Sequence, residues 1–226
     1  MLGTLINSAS IILGSIIGLL IGSKLSKNIT NIIFQALGLV VLLLGITMAI
    51  KTSNIMILFF SIVLGSLLGE WIDIDKRLNS MGEKIRKKIK IGNKKFTEGF
   101  IAASLLFCIG SLAILGPIEE GLGNPPNILL VKSGLDGFAS IAFAATFGIG
   151  VIFSFIPVLI YQGSVTLLAY WLHNFLSEVI INELNAVGGL LLIGLSINIL
   201  EIKKLKVANM LPSLIVVVIL AYFFLS

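Results

Sequence analysis

Eight apolar runs, each close to the length of a bilayer-crossing helix, fill most of the chain and leave few folds open to it. They lie near residues 4–23, 31–50, 54–72, 99–115, 136–154, 156–176, 186–200 and 208–225. A helix needs about 20 mainly apolar residues to cross the hydrocarbon core, and every backbone polar group must be satisfied there. Of the 226 residues 57% are hydrophobic and only 12% charged, against roughly a quarter charged in soluble proteins. The expected fold is all-α: a polytopic membrane helix bundle of about eight transmembrane helices forming a single domain.

The fifth and sixth runs together cover residues 136–176. As one helix they would be roughly 60 Å long, twice the core thickness, so the split is expected at Pro157. The first run carries no charge before Lys24 and no Ala-x-Ala site. It is too long for a signal peptide and is expected to remain as a span.

Charge sets the expected orientation. Nine of the sixteen Lys and Arg fall between Lys76 and Lys95. If the 73–98 segment is cytoplasmic, eight spans put Lys24, Lys27, Lys203, Lys204 and Lys206 inside as well. Only Lys51 and Lys132 then stay outside, with Glu119, Glu120, Glu178 and Glu183. That asymmetry follows the positive-inside rule and makes both termini extracytoplasmic. Anionic lipid headgroups account for the formal charge of +5 better than nucleic acid does. Ile74, Leu78, Met81, Ile85 and Ile89 recur at helical spacing among the basic residues, as in an amphipathic helix on the inner leaflet. It is either an anchored linker or a docking element.

Residues 25–46 align without gaps to 176–197. Leu25, Ser26, Ile29, Asn31, Gly38, Leu39, Leu44 and Ile46 recur as Leu176, Ser177, Ile180, Asn182, Gly189, Leu190, Leu195 and Ile197. After a four-residue shift, Lys51-x-x-Asn54 is echoed by Lys206-x-x-Asn209. Spans 1–3 then correspond to spans 6–8, running oppositely through the membrane. The expected organisation is a repeat unit over 1–72, the basic linker 73–98, a central pair of spans over 99–154, and a second repeat unit over 155–226. Inverted repeats are the architecture of many secondary transporters, and channels use them too. The alternative is that two Gly-containing apolar helices look alike because lipid admits few residue types.

Between the units, Gly and Pro are dense from Gly110 to Pro126, which predicts a broken-helix or loop region at 116–136. Freed backbone groups at membrane depth need a protein or watery environment. Glu119, Glu120 and Asp136 beside such a region are candidate ligands for a cation or a shared proton, with Ser140 on the Asp136 face. Alternatively, the two glutamates occupy a solvated turn and Asp136 caps a helix. Asn7, Gln162 and Asn198 are amides in or near apolar runs, suited to lining a path or to clamping helices.

Gly14, Gly18 and Gly22, with Gly65 and Gly69, form GxxxG stripes for close packing inside one chain or across a homodimer. Glu70 and Trp71 read as an interfacial anchor, and His173 as an aromatic-belt residue. Cys108 is alone, which excludes an intrachain disulfide or a cysteine metal cluster. No nucleophile elbow, zinc-peptidase motif, Walker loop or dinucleotide fingerprint occurs, so no catalytic residue, metal or cofactor is expected, nor an enzyme.

Three motifs, Gly110-Ser-Leu-Ala-Ile-Leu-Gly116-Pro-Ile-Glu-Glu120-Gly-Leu, Lys132-Ser-Gly-Leu-Asp136-Gly-Phe-Ala-Ser140 and Pro157-Val-Leu-Ile-Tyr161-Gln162-Gly163, resemble the bacterial YqgA/YdfK membrane-protein family (domain of unknown function 554). Gly65-x-x-x-Gly69-Glu70 and Gly3-x-x-x-Asn7 are similar to it too. The likeness spans essentially the whole chain and implies a bacterial cytoplasmic membrane, but it supplies no substrate. Pro117 and Glu119 depart from the family's pattern of a small polar residue and an amide, which leaves Glu120 as the better acid. The leading expectation is a secondary transporter or permease for a small polar solute or ion, coupled to protons or sodium. A passive channel and a non-transporting scaffold or sensor are the alternatives.

Overall fold

A computed structural model of the chain describes residues 1–23, 26–89, 95–109, 112–170 and 176–225, without the side chains at 27, 30, 34, 78, 81, 82 and 85–89. The described residues are mostly helical, with no strand among them. The helices are α1 (Leu2–Gly22), α2 (Lys27–Ala49), α3 (Ile55–Ile72), α4 (Ile74–Ile89), α5 (Lys95–Cys108), α6 (Leu112–Gly121), α7 (Asn127–Phe147), α8 (Phe155–Leu167), α9 (Glu178–Ile199) and α10 (Ser213–Leu225). Single 3-10 segments, Ile149–Ser154 and Val207–Met210, lead into α8 and precede α10.

Seven stretches among the described residues are long and apolar enough to span a membrane. The pair α5 and α6, bent by 60°, makes an eighth if it counts as one span. Large apolar side chains on these helices, such as Leu13, Leu43, Leu67, Phe138 and Phe223, stand exposed, as lipid-facing residues must. α4 is the helix expected from the basic linker. The side chains of Leu78, Met81, Ile85 and Ile89 lie outside the described residues, as do Lys24, Gly110, Ser111, Trp171, His173 and Asn174.

The helices fall into two compact units. One comprises Met1–Leu37, Asn79–Cys108 and Leu112–Tyr170; the other comprises Gly38–Leu78, Ile109–Ser111 and Trp171–Ser226.

In the first unit α1 packs chiefly against α7. Gly14, Gly18 and Gly22 meet the backbone of Gly137, Ile141 and Ala145 in turn, so both helices advance in the same direction. The absence of Cβ atoms is what lets the backbones touch, and the stripe expected from the sequence is used within the chain. A valine at Gly14 would strike the Gly137 carbonyl and the Ser140 hydroxyl. We expect Gly14→Val to cost about 1–3 kcal/mol in thermal unfolding of the detergent-solubilised protein; an unchanged melting temperature would contradict this packing.

The bent pair runs the opposite way along α7. Gly99 of α5 lies against Phe147 at the end of α7, while Gly116 of α6 lies against Leu129 near its start. The pair therefore traverses the same thickness as α7. Segment 116–136 is less broken than its Gly and Pro content predicts: α6 continues through Pro117 to Gly121, and only Leu122–Pro126 lies outside helix. Proline deletes one donor and leaves the rest of this short helix intact.

The boundary between the fifth and sixth runs also differs from expectation. α7 begins at Asn127, nine residues before the expected start, and ends at Phe147, followed by Gly148, whose φ of 84° suits glycine. Pro157 sits in the first turn of α8, where a missing N–H costs nothing. α8 runs antiparallel to α1, with Gly163 close to Met1.

In the second unit α3 packs antiparallel to the C-terminal segment, Gly65 against Ser213 and Gly69 against Asn209. α2 and α9 are also antiparallel, with Gly45 facing Gly189 and Gly38 facing Leu200. Ile57, Val187 and Val217 form a buried cluster joining α3, α9 and α10.

Candidate functional site

Polar groups inside an apolar bundle must find partners, and their pairing separates structural residues from those with capacity to spare. Glu119 and Glu120 occupy the last turn of α6 and serve two different helices. The Ile128 N–H in the first turn of α7 donates to Glu119 Oε2 at 3.2 Å. The Gly3 N–H donates to Glu120 Oε1 at 2.7 Å, Thr4 Oγ1 donates to Glu120 Oε2 at 3.3 Å, and the Met1 ammonium lies 3.0 Å from Oε1. Both carboxylates thus satisfy the free N–H groups of a helix start and complement its dipole. From the sequence, helix capping is expected of Asp136 and not of the glutamates, which read as a ligand site or a solvated turn.

Asp136 is no cap. Counting from Asn127, it is the tenth of the 21 residues of α7, and it is only 8% exposed. Lys132, one turn earlier, forms a buried ion pair with its Oδ2. The charge asymmetry of the sequence places Lys132 outside with the loops; the structure puts it inside the α7 span, 4% exposed. The i,i+4 spacing of Lys132 and Asp136 carried that signal.

Two amides complete the cluster. Asn7 Nδ2 of α1 donates to Asp136 Oδ2 at 3.0 Å and to Gln162 Oε1 of α8 at 3.3 Å. Asn7 and Gln162 are both fully buried. Asn7 Oδ1 and Gln162 Nε2 have no hydrogen-bond partner among the described residues. Ser140, also buried, donates to the Gly137 carbonyl and packs under α1 at Gly14.

The chain's family follows from a comparison along its length. Residues 2–222 match a family model described as protein of unknown function (DUF554). The chain belongs to this family. Among DUF554 relatives, the "uncharacterized membrane protein YdfK" of Bacillus subtilis (strain 168) is 39% identical over 220 residues, covering 96% of this chain and 93% of the relative. The "uncharacterized protein YqgA" of Escherichia coli (strain K12) is 32% identical over 219 residues, covering 95% and 93%. No solved structure matches. Family and apolar helices together make this DUF554 chain a membrane protein.

The second unit of the DUF554 chain holds two further polar clusters. Glu183 in α9 is fully buried and accepts from Thr52 Oγ1 at 2.7 Å, the Ser53 N–H at 2.6 Å, Ser53 Oγ at 2.7 Å and the Asn54 N–H at 3.1 Å. The sequence reading counted it among outer acids and missed its role. It fixes the entry to α3, which Asn54 caps through the Met56 and Ile57 N–H groups.

At the other end of α3, Glu70 accepts from Lys206 Nζ and from Asn209 Nδ2, beside a Trp71 that is 86% exposed. Glu70 is thus paired with the segment that precedes α10. The Glu70 hydrogen bond, and then its charge, hold the Lys206 ammonium above the ordinary lysine range. The stabilisation is complete below the unfolded lysine value and fades as pH rises through the folded one. Asn198 clamps the loop after α9 through both backbone groups of Leu205.

Proposed function

We propose that this DUF554 protein is a secondary transporter that moves a small polar solute or ion across the bacterial cytoplasmic membrane under a proton or sodium gradient. It leaves the solute chemically unchanged. The observation that carries this reading is the buried Lys132, Asp136, Asn7 and Gln162 cluster about halfway along α7. Ionisable groups at such depth are expensive and mark solute and ion pathways.

Helix directions support an inverted repeat, an architecture on which many alternating-access transporters are built. The counterparts α1 and α8, α2 and α9, and α3 and α10 each pack antiparallel. Ser26 and Ser177, equivalent in the alignment, accept from the Ile29 and Ile180 N–H groups respectively, each at 3.4 Å.

The α2–α9 contact adds to this. Gly189 meets Ala49, and Gly38 meets Leu200. Leu200 stands 151 residues after Ala49, as Gly189 does after Gly38. A contact that maps onto itself when two elements are exchanged is what a two-fold axis generates. The cluster lies where the counterparts α1 and α8 meet the central helix α7. Charge distribution favours a cytoplasmic 73–98 segment and extracytoplasmic termini.

Gradient-driven uptake into proteoliposomes tests the reading. We expect Asp136→Asn to abolish it, and Glu120→Gln to retain it while losing about 1 kcal/mol of stability as a weakened cap. Full uptake by the Asp136 variant would remove that residue from the pathway.

A further inference from the structure

We infer that the Lys132–Asp136–Asn7–Gln162 cluster takes a small zwitterion of the α-amino acid class, its ammonium on Asp136 and Asn7 and its carboxylate on Lys132 and Gln162. This rests on the transport reading and names its substrate.

Charge balance favours a zwitterion. The ion pair is buried at mid-span and sums to zero. A solute with net charge would leave one unit uncompensated where the dielectric is low. A lone cation would have to displace the Lys132 ammonium from Asp136, and a lone anion would have to displace the Asp136 carboxylate from Lys132. A zwitterion exchanges with the pair charge for charge and needs no accompanying ion for neutrality.

The unpartnered atoms favour the same ligand class. Asp136, as a carboxylate paired with Lys132, only accepts, so Asn7 must turn its NH2 toward it and its Oδ1 away. Gln162 must then present Oε1 to the same NH2, leaving Nε2 outward. The orientation of both amides is therefore set by the ion pair. What remains is one acceptor, Asn7 Oδ1, and one donor, Gln162 Nε2, on fully buried side chains. An ammonium has three N–H groups and finds acceptors at Asp136 and Asn7. A carboxylate finds donors at Lys132 and Gln162. Both charges and both unused hydrogen-bonding atoms match one ligand class.

The test is a melting-temperature shift of the full-length protein in detergent. Each common amino acid is added singly at about 10 mM, roughly tenfold above the upper end of ordinary KM values. Acetate, methylammonium, both together and N-acetylglycine serve as controls. At least one small α-amino acid is expected to stabilise the protein, with no shift from any control. The Lys132→Met/Asp136→Leu double variant is expected to lose the response, and Gln162→Leu to weaken it. Stabilisation by acetate or methylammonium equal to that by the best amino acid, or no shift with any amino acid, overturns the zwitterion assignment. Stabilisation without uptake in liposomes would instead overturn the transport reading, and gradient-driven uptake of another solute without amino-acid binding would spare it.

Discussion

Lys132→Met is expected to destabilise the protein by about 3–5 kcal/mol, because it strands a carboxylate inside the bundle. Asp136 sits at mid-span, and without Lys132 only Asn7, among the described residues, donates to its Oδ2. Replacing both charges tells a different story. Buried ion pairs exchanged for apolar residues of similar volume are often neutral or stabilising, so Lys132→Met/Asp136→Leu is expected to return to within about 1.5 kcal/mol of the parent, or above it. Thermal or denaturant unfolding in detergent measures both variants. A pair retained for folding would show a double variant at least as unstable as the single one. Recovery of stability with loss of uptake is the signature of a pair retained for function.

Glu183→Gln carries the second large effect. Its carboxylate accepts from two backbone N–H groups and two hydroxyls at the head of α3. A glutamine puts an NH2 against some of those donors and leaves them unpaired. At 1–3 kcal/mol for each unsatisfied buried group, the loss should be about 3 kcal/mol. No solute need contact this residue, so uptake per folded molecule should be unchanged. A Glu183→Gln protein that melts with the parent would show that the cap is dispensable; one that is stable but inactive would move the functional site to α9.

The comparison of Glu183 with Asp136 shows what was legible in the sequence. Both are buried acids in apolar surroundings, yet one is saturated by donors and the other shares its amides with unpaired atoms. Nothing local distinguishes them. Thr52 and Ser53 are about 130 residues from Glu183 in sequence, and Asn7 is 155 residues from Gln162. Such encounters follow from tertiary packing alone.

The spans were readable because lipid imposes composition directly. Their ends were not, because hydropathy penalises Lys132 and Asp136 as charges even where they neutralise each other. Glu119 and Glu120 look like a joint site in sequence. On a helix, however, neighbouring side chains diverge by about 100°, which sends one to α7 and the other to α1. Gly14, Gly18 and Gly22 were legible because a four-residue glycine period has one main physical use, and their partner helix lies in the same chain.

The proposed solute path runs through the buried Lys132–Asp136 ion pair. Its most direct test is uptake by proteoliposomes holding equal amounts of folded parent or Lys132→Met/Asp136→Leu protein, under an imposed proton or sodium gradient, with radiolabelled solutes including α-amino acids. Uptake by the parent and none by the equally stable double variant is the predicted result. Equal gradient-driven uptake by both, or no uptake by the parent of any solute under either gradient, would contradict it.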